Sequence, residues 1–177
     1  YKEMSTNEHL PQTAAPAPGA FGEIFTKRLN AGAESIVCIN LSSELSATME
    51  SAQAGAQESG GDVRIVDSRS VSAGQGTIVL AAAQAAKNGA SVDEIVSLVS
   101  DLSSRTRVYG ALDTLENLKK GGRVGNAAAL FGSVLSIKPL IDISSGVVEE
   151  AGKQRTMKKA LAWLAETVKE HGDNLES

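Results

Sequence analysis

Ser35-Ile36-Val37-Cys38-Ile39-Asn40, followed at once by Leu41-Ser42-Ser43-Glu44-Leu45-Ser46-Ala47-Thr48, decides how this chain folds. The first six residues are apolar and partly β-branched, the pattern of a short buried strand. From Met49 to Gln57 the composition turns to Ala, Glu and Gln, which reads as a helix. Ser42, Ser43, Ser46 and Thr48 therefore sit where a strand hands over to a helix N-terminus. Backbone N–H groups lack partners at such a terminus, and the helix dipole favours negative charge there. The arrangement suits a carboxylate or a phosphate. Ser and Thr are also ordinary helix caps, so the residues alone leave both roles open.

The same alternation continues on either side. A helix near Ala17 to Leu29, entered through Pro16 and Pro18, precedes the strand. A helix over 46–59 stops at Gly60-Gly61 and leads to a second strand, Val63 to Asp67. An Ala-rich helix follows from Ala73 to Lys87 and ends at Asn88-Gly89. Ser91-Val92-Asp93-Glu94 has the form of a capping box, opening a helix with Val92, Ile95, Val96, Val99 and Leu102 on one face. Strands separated by whole helices imply a parallel sheet. Asp67-Ser68-Arg69-Ser70-Val71-Ser72 forms a second strand-to-helix loop, read as structural, with Asp67 and Ser70 satisfying loop amides.

The pattern changes after Arg107. Val108 to Leu112 reads as a strand, a short helix stops at Gly121-Gly122, and another helix is expected over 126–135. Lys138 to Ile143 and Val147 to Glu149 read as strands joined by Ser144-Ser145-Gly146. A last helix, Gln154 to His171, carries Met157, Leu161, Leu164 and Val168 on one face, with Trp163 beside it. The fold class expected is thus α/β: a parallel sheet flanked by helices over residues 1–106, followed by a mixed α+β second domain over 107–177.

Composition narrows the chemistry. Aromatic residues make up only 3% of 177 residues, so the core must be aliphatic. A formal charge of −4 argues against nucleic-acid binding, which needs a basic face. Cys38 is the single cysteine and reads as a small hydrophobe within a strand. His9 and His171 lie near the ends without metal-ligand spacing, and no nucleophile elbow or ATP-binding motif occurs. No catalytic residue, metal or cofactor is therefore assigned.

Further blocks carry a resemblance. They are Leu10-Pro11-Gln12-Thr13-Ala14-Ala15-Pro16-Ala17-Pro18-Gly19-Ala20-Phe21, the serine loop, Val63 to Ser72, and Leu112 to Gly125, and then Ser136-Ile137-Lys138-Pro139-Leu140 and Gly152 to Ala160. In this order they resemble the DegV family, bacterial proteins that bind a fatty acid, from about Thr13 to Lys169. The resemblance implies that Thr13 and Ser46 hydrogen-bond the fatty-acid carboxylate, with Ser42 or Ser43 as alternatives to Ser46. It implies that Arg123 and Arg155 lie near the mouth of the lipid site and serve partner docking or phosphate. The chain would bind one long-chain fatty acid and present it to a separate ATP-dependent kinase subunit. That kinase would form the acyl phosphate used in phospholipid synthesis. A cytoplasmic location and transient membrane contact complete the expectation.

The chain departs from the family pattern at several places. Ala14, Ala15 and Ala17 stand where the family has polar residues, Ala47 where glycine is usual, and neither His9 nor His171 matches the family's site histidine. The chain is also expected to be partial, lacking family segments at both ends. The chemistry agrees with the resemblance: a buried carboxylate needs several donors, and hydroxyls and helix N–H groups supply them. An acyl tail needs a long apolar channel. Leu130, Phe131, Val134, Leu135 and Ile137 are candidates for its lining, with a plain core role as the simpler reading. The reading from another class is a stand-alone α/β enzyme acting on a small phosphate or carboxylate ester at the same loop.

Overall fold

β1 (Ser35–Asn40) and β2 (Asp62–Asp67) pair in parallel, in register from Ser35 opposite Asp62 to Asn40 opposite Asp67. The structure is a computed structural model and describes residues 12–130 and 137–171; His9, Phe131, Val134 and Leu135 lie outside that range. The chain divides into two compact units, the first Tyr1–Val108 with Ser144–Gly146, the second Tyr109–Ile143 with Val147–Ser177.

In the first unit, helices α1 (Pro18–Asn30), α2 (Thr48–Ser59), α3 (Ser72–Lys87) and α4 (Val92–Arg105) surround the strand pair. Ile78 and Ala82 of α3 pack with Ile95 and Val99 of α4, and Val37, Ile39 and Val66 close the cluster from the sheet. Strand alternation sends Ile36 and Cys38 to the opposite face. Cys38 is half-buried, and that burial raises its thiol pKa although the Asn40 amide, 3.6 Å from Sγ, works the other way. The residue behaves as core filler.

α1 and α2 approach through glycines: a Cβ on Gly22 would lie 3.3 Å from the Gly55 carbonyl oxygen. Gly60, at φ +72°, ends α2 in the left-handed conformation that lacks steric penalty only for glycine. α4 opens with the expected capping box. Glu94 N–H donates to Ser91 Oγ at 3.3 Å, and Glu94 Oε2 accepts from Ser91 N at 2.8 Å and Ser91 Oγ at 2.7 Å. These bonds, the Ser91 hydroxyl first, lower the Glu94 pKa. A lowered folded-state pKa gives stability that is present above the usual carboxylate range, about 4, and lost as pH falls through the folded value. The first turn of α4 should therefore fray in acid. Amide exchange at Glu94 and Ile95 should show this, and Glu94→Gln should remove the pH dependence.

The second unit is an antiparallel sheet in the order β3 (Tyr109–Ala111), β4 (Lys138–Asp142), β5 (Glu149–Gln154). With it lie a short helix α5 (Glu116–Lys120), a 3-10 turn over Gly125–Leu130 and helix α6 (Met157–Glu170). Leu140 and Ile141 of β4 are buried, as are Val148 and Ala160. Tyr109 meets Trp163 edge-on, with ring centroids 5.8 Å apart.

Four features of this unit differ from the sequence reading. β5 starts at Glu149, where the expected strand ended, and continues through Lys153 and Gln154, which pair with Pro139 and Lys138. The helix cannot begin at Gln154 because Thr156 is its cap, accepting from Lys159 N–H at 3.3 Å. The described part of the helix expected over 126–135 is a 3-10 turn, entered at Gly125 with φ +51° and closed by Asn126 N–H on Val148 O at 2.9 Å. The buried stripe of α6 runs through Ala160 and Thr167, leaving Leu161 57% and Val168 51% exposed. Met157 and Leu164 are half-buried on the same stripe.

Candidate functional site

The parallel register places the ends of β1 and β2 side by side, so the two loops that leave them start as neighbours. The serine loop runs over 41–47 and the second loop over 68–71. Asp67 ties them together. Its Oδ2 accepts from Ser43 N at 3.2 Å and Ser43 Oγ at 2.6 Å, and its Oδ1 accepts from Arg69 N at 2.7 Å. Ser42 N donates to Ser70 O at 2.8 Å, and Ser68 N donates to Asn40 O at 3.0 Å. Ser144–Gly146 belongs to the same unit and closes the cluster. Ser42 Oγ donates to Gly146 O at 2.6 Å, and Arg69 Nη2 donates to Ser145 O at 2.7 Å.

Each hydroxyl has one proton to give, and counting those protons separates the serines. Ser42 is fully buried and gives its proton to Gly146, while its oxygen receives Glu44 N–H at 3.3 Å. Ser43 gives its proton to the Asp67 carboxylate. Ser46 faces the Thr48 hydroxyl at 2.8 Å, a pair in which either atom can be the donor, and its oxygen receives Thr48 N–H at 3.3 Å. Ser46 thus stands at the entrance to α2 with a proton not fixed on a protein acceptor. Ala47 at the cap position offers no side-chain bond.

Thr13 is exposed, on the irregular segment that leads into α1, and makes no hydrogen bond among the described residues. Pro16 and Pro18 fix the backbone there, with Ala17 extended at φ −64°, ψ 147°. Arg123 and Arg155 lie in the second unit, both exposed. Arg123 follows the stop of α5 and donates to Gly121 O at 2.6 Å; Arg155 occupies the bend between β5 and α6. Leu130 is buried, as a core residue would be, and Ile137 half-buried.

The second loop differs from its sequence reading in one detail. Asp67 does satisfy loop amides, but the Ser70 hydroxyl does not. Ser68 Oγ takes the Ser70 N–H at 3.2 Å, while Ser70 Oγ turns against Gly74 in the first turn of α3 and is buried without a partner among the described residues. Arg69 at φ +50° and Ser72 at φ +55° both occupy the left-handed region, a strained conformation for residues with a Cβ. Sequence reasoning passed over Arg69. The available signal was a cation between two loop serines directly after a strand-ending Asp.

Elsewhere in the first unit, Gly19, Glu23, Lys27 and Glu58 border an open groove of about 830 Å³ along α1, whose lining includes none of Thr13, Ser42, Ser43 and Ser46. Among the described residues no group of His, Cys, Asp and Glu could hold a metal, and no helix is long and apolar enough to cross a membrane. His171 Nδ1 sits 2.8 Å from Thr167 O at the end of α6.

Parallel strands that end in hydroxyl-lined loops at helix N-termini form an arrangement whose chemistry is compatible with an anionic group. The comparisons name the family. The model of the DegV family, described as an uncharacterised protein, matches residues 1–177, and the chain belongs to that family. A DegV domain-containing protein of Streptomyces coelicolor is 41% identical over 154 residues, 87% of this chain and 55% of that protein. One from Deinococcus radiodurans is 38% identical over 162 residues, 92% of this chain and 57% of that one. Among solved structures, a fatty-acid-binding DegV family protein from Thermus thermophilus superposes with a TM-score of 0.90 at 31% identity, covering 97% of this chain and 61% of its own. Another from Streptococcus agalactiae gives 0.86 at 27% identity, covering 98% and 62%. The chain thus spans somewhat under two-thirds of the length of these relatives.

Proposed function

We propose that this protein binds a single long-chain fatty acid through its carboxylate at the serine loop, with Ser46 and Thr13 as the hydroxyl donors. The observation that carries this reading is the proton count: Ser42 and Ser43 are committed to Gly146 and Asp67, and Ser46 is not. Membership of the DegV family, with fatty-acid-binding proteins among the similar structures, supports the same ligand. On this reading the protein is a carrier that presents the carboxylate to a separate ATP-dependent kinase subunit for acyl-phosphate formation. Arg123 and Arg155, exposed forks in the second unit, serve that partner or the phosphate.

The enzyme reading has less support. Ser43 is paired with Asp67 but no histidine adjoins them among the described residues, and Ser46 pairs with Thr48 rather than with a base. Titration of the complete gene product with oleate should saturate at one per chain. With the kinase and ATP present, Arg123→Ala should lower acyl-phosphate formation severalfold while leaving that saturation intact. Equal loss of both would remove Arg123 from the partner role.

A further inference from the structure

We infer that Arg69 is the cation that recognises the ligand's carboxylate, a specificity-determining residue; the inference rests on the carboxylate reading of the serine loop. Charge is the first argument. The serine loop and the strand end beside it carry Glu44 and Asp67, two carboxylates that repel an incoming anion. Arg69 is the one basic residue in either loop or in the turn Ser144–Gly146. Within these two loops and that turn, neutral hydroxyls and a helix terminus would otherwise face both acids with no cation beside them.

Placement is the second argument. Arg69 N shares the Asp67 carboxylate with Ser43, so the arginine begins beside the serine loop. A single bond, Nη2 to Ser145 O at 2.7 Å, anchors the guanidinium next to the carbonyl that Ser42 holds. The remaining guanidinium N–H groups have no acceptor among the described residues, and the side chain is exposed. One edge of the fork is thus fixed and the rest is free to meet a carboxylate. The left-handed backbone at Arg69 is the third argument. Such strain persists where surrounding contacts over-determine it, here the Asp67 and Ser145 bonds, and it aims this side chain.

The test compares an ionised ligand with an uncharged one of the same length. Oleate and methyl oleate would be titrated into the wild-type gene product and into Arg69→Gln and Arg69→Lys. Arg69→Gln should weaken oleate about tenfold or more, the loss of a charge-assisted bond, and leave methyl oleate within about twofold. Arg69→Lys, which keeps the charge, should recover part of the oleate affinity. Equal weakening of both ligands would show that Arg69 only anchors the turn and would overturn the inference, as would unchanged oleate affinity in Arg69→Gln. A wild-type protein that takes up neither ligand would instead defeat the fatty-acid reading on which the inference stands.

Discussion

Protein carrying Thr13→Ala together with Ser46→Ala should emerge from purification without the fatty acid that the wild type retains. Among the described residues, the Ser46 hydroxyl at the entrance to α2 is shared only with Thr48, and Thr13 presents an unengaged hydroxyl on a segment fixed by two prolines. Each would donate to an ionised acceptor, a class of hydrogen bond that contributes about 1.5–3 kcal/mol. Losing both should weaken binding by at least about a hundredfold, since every 1.4 kcal/mol is a factor of ten. Folding should survive. Thr13 makes no bond among the described residues, and the Ser46 contacts span only two positions of a loop. Far-UV circular dichroism and the melting temperature would confirm that. Ser43→Ala is the internal control: its proton belongs to Asp67, so the retained lipid should change little.

Gly55→Ala should destabilise the first unit even though alanine is the better helix former by up to about 1 kcal/mol. A Cβ at Gly55 would lie 2.5 Å from Pro18 O, 2.8 Å from Phe21 Cβ and 2.9 Å from Gly22 N. Two of those three atoms are backbone, so no rotamer change relieves the clash, and α1 must move off α2 as a body. Overpacking of this kind costs about 1–3 kcal/mol. Set against the propensity gain, a net loss of about 1 kcal/mol should lower the melting temperature by about 2–4 °C. Gly76→Ala, inside α3 with nothing within 4 Å of its Cβ position, should raise stability by up to about 1 kcal/mol. The opposite signs of two identical substitutions make the packing argument checkable in one thermal series.

What the sequence made legible was local. β1 spans Ser35–Asn40 as its apolar run requires, and the Ser91–Glu94 box caps α4 because both partners lie within one turn. The serine loop, too, was legible as a strand-to-helix junction with hydroxyls at the helix entrance. What remained hidden was long-range. Ser42 and Gly146 are 104 positions apart, so no window on the chain could show that the Ser42 proton is already spent. Long separation likewise concealed the grouping of Ser144–Gly146 with the first unit, and the anchor of Arg69 on Ser145 across 76 positions. In α6 the expected face was half right: Met157 and Leu164 are half-buried, but Leu161 and Val168 turn outward. Hydrophobicity favours Leu161 and Val168, whereas the small and polar Ala160 and Thr167 occupy the inward face. Packing volume, which a periodic pattern does not encode, settles which stripe turns in.

Native mass spectrometry of the complete gene product, followed by organic extraction of whatever is released, tests the central claim most directly. A fatty-acid carrier should show an added mass of one long-chain fatty acid per chain, released intact on denaturation. A spectrum showing the polypeptide mass alone, from protein that also fails to take up added oleate or palmitate, would contradict that claim.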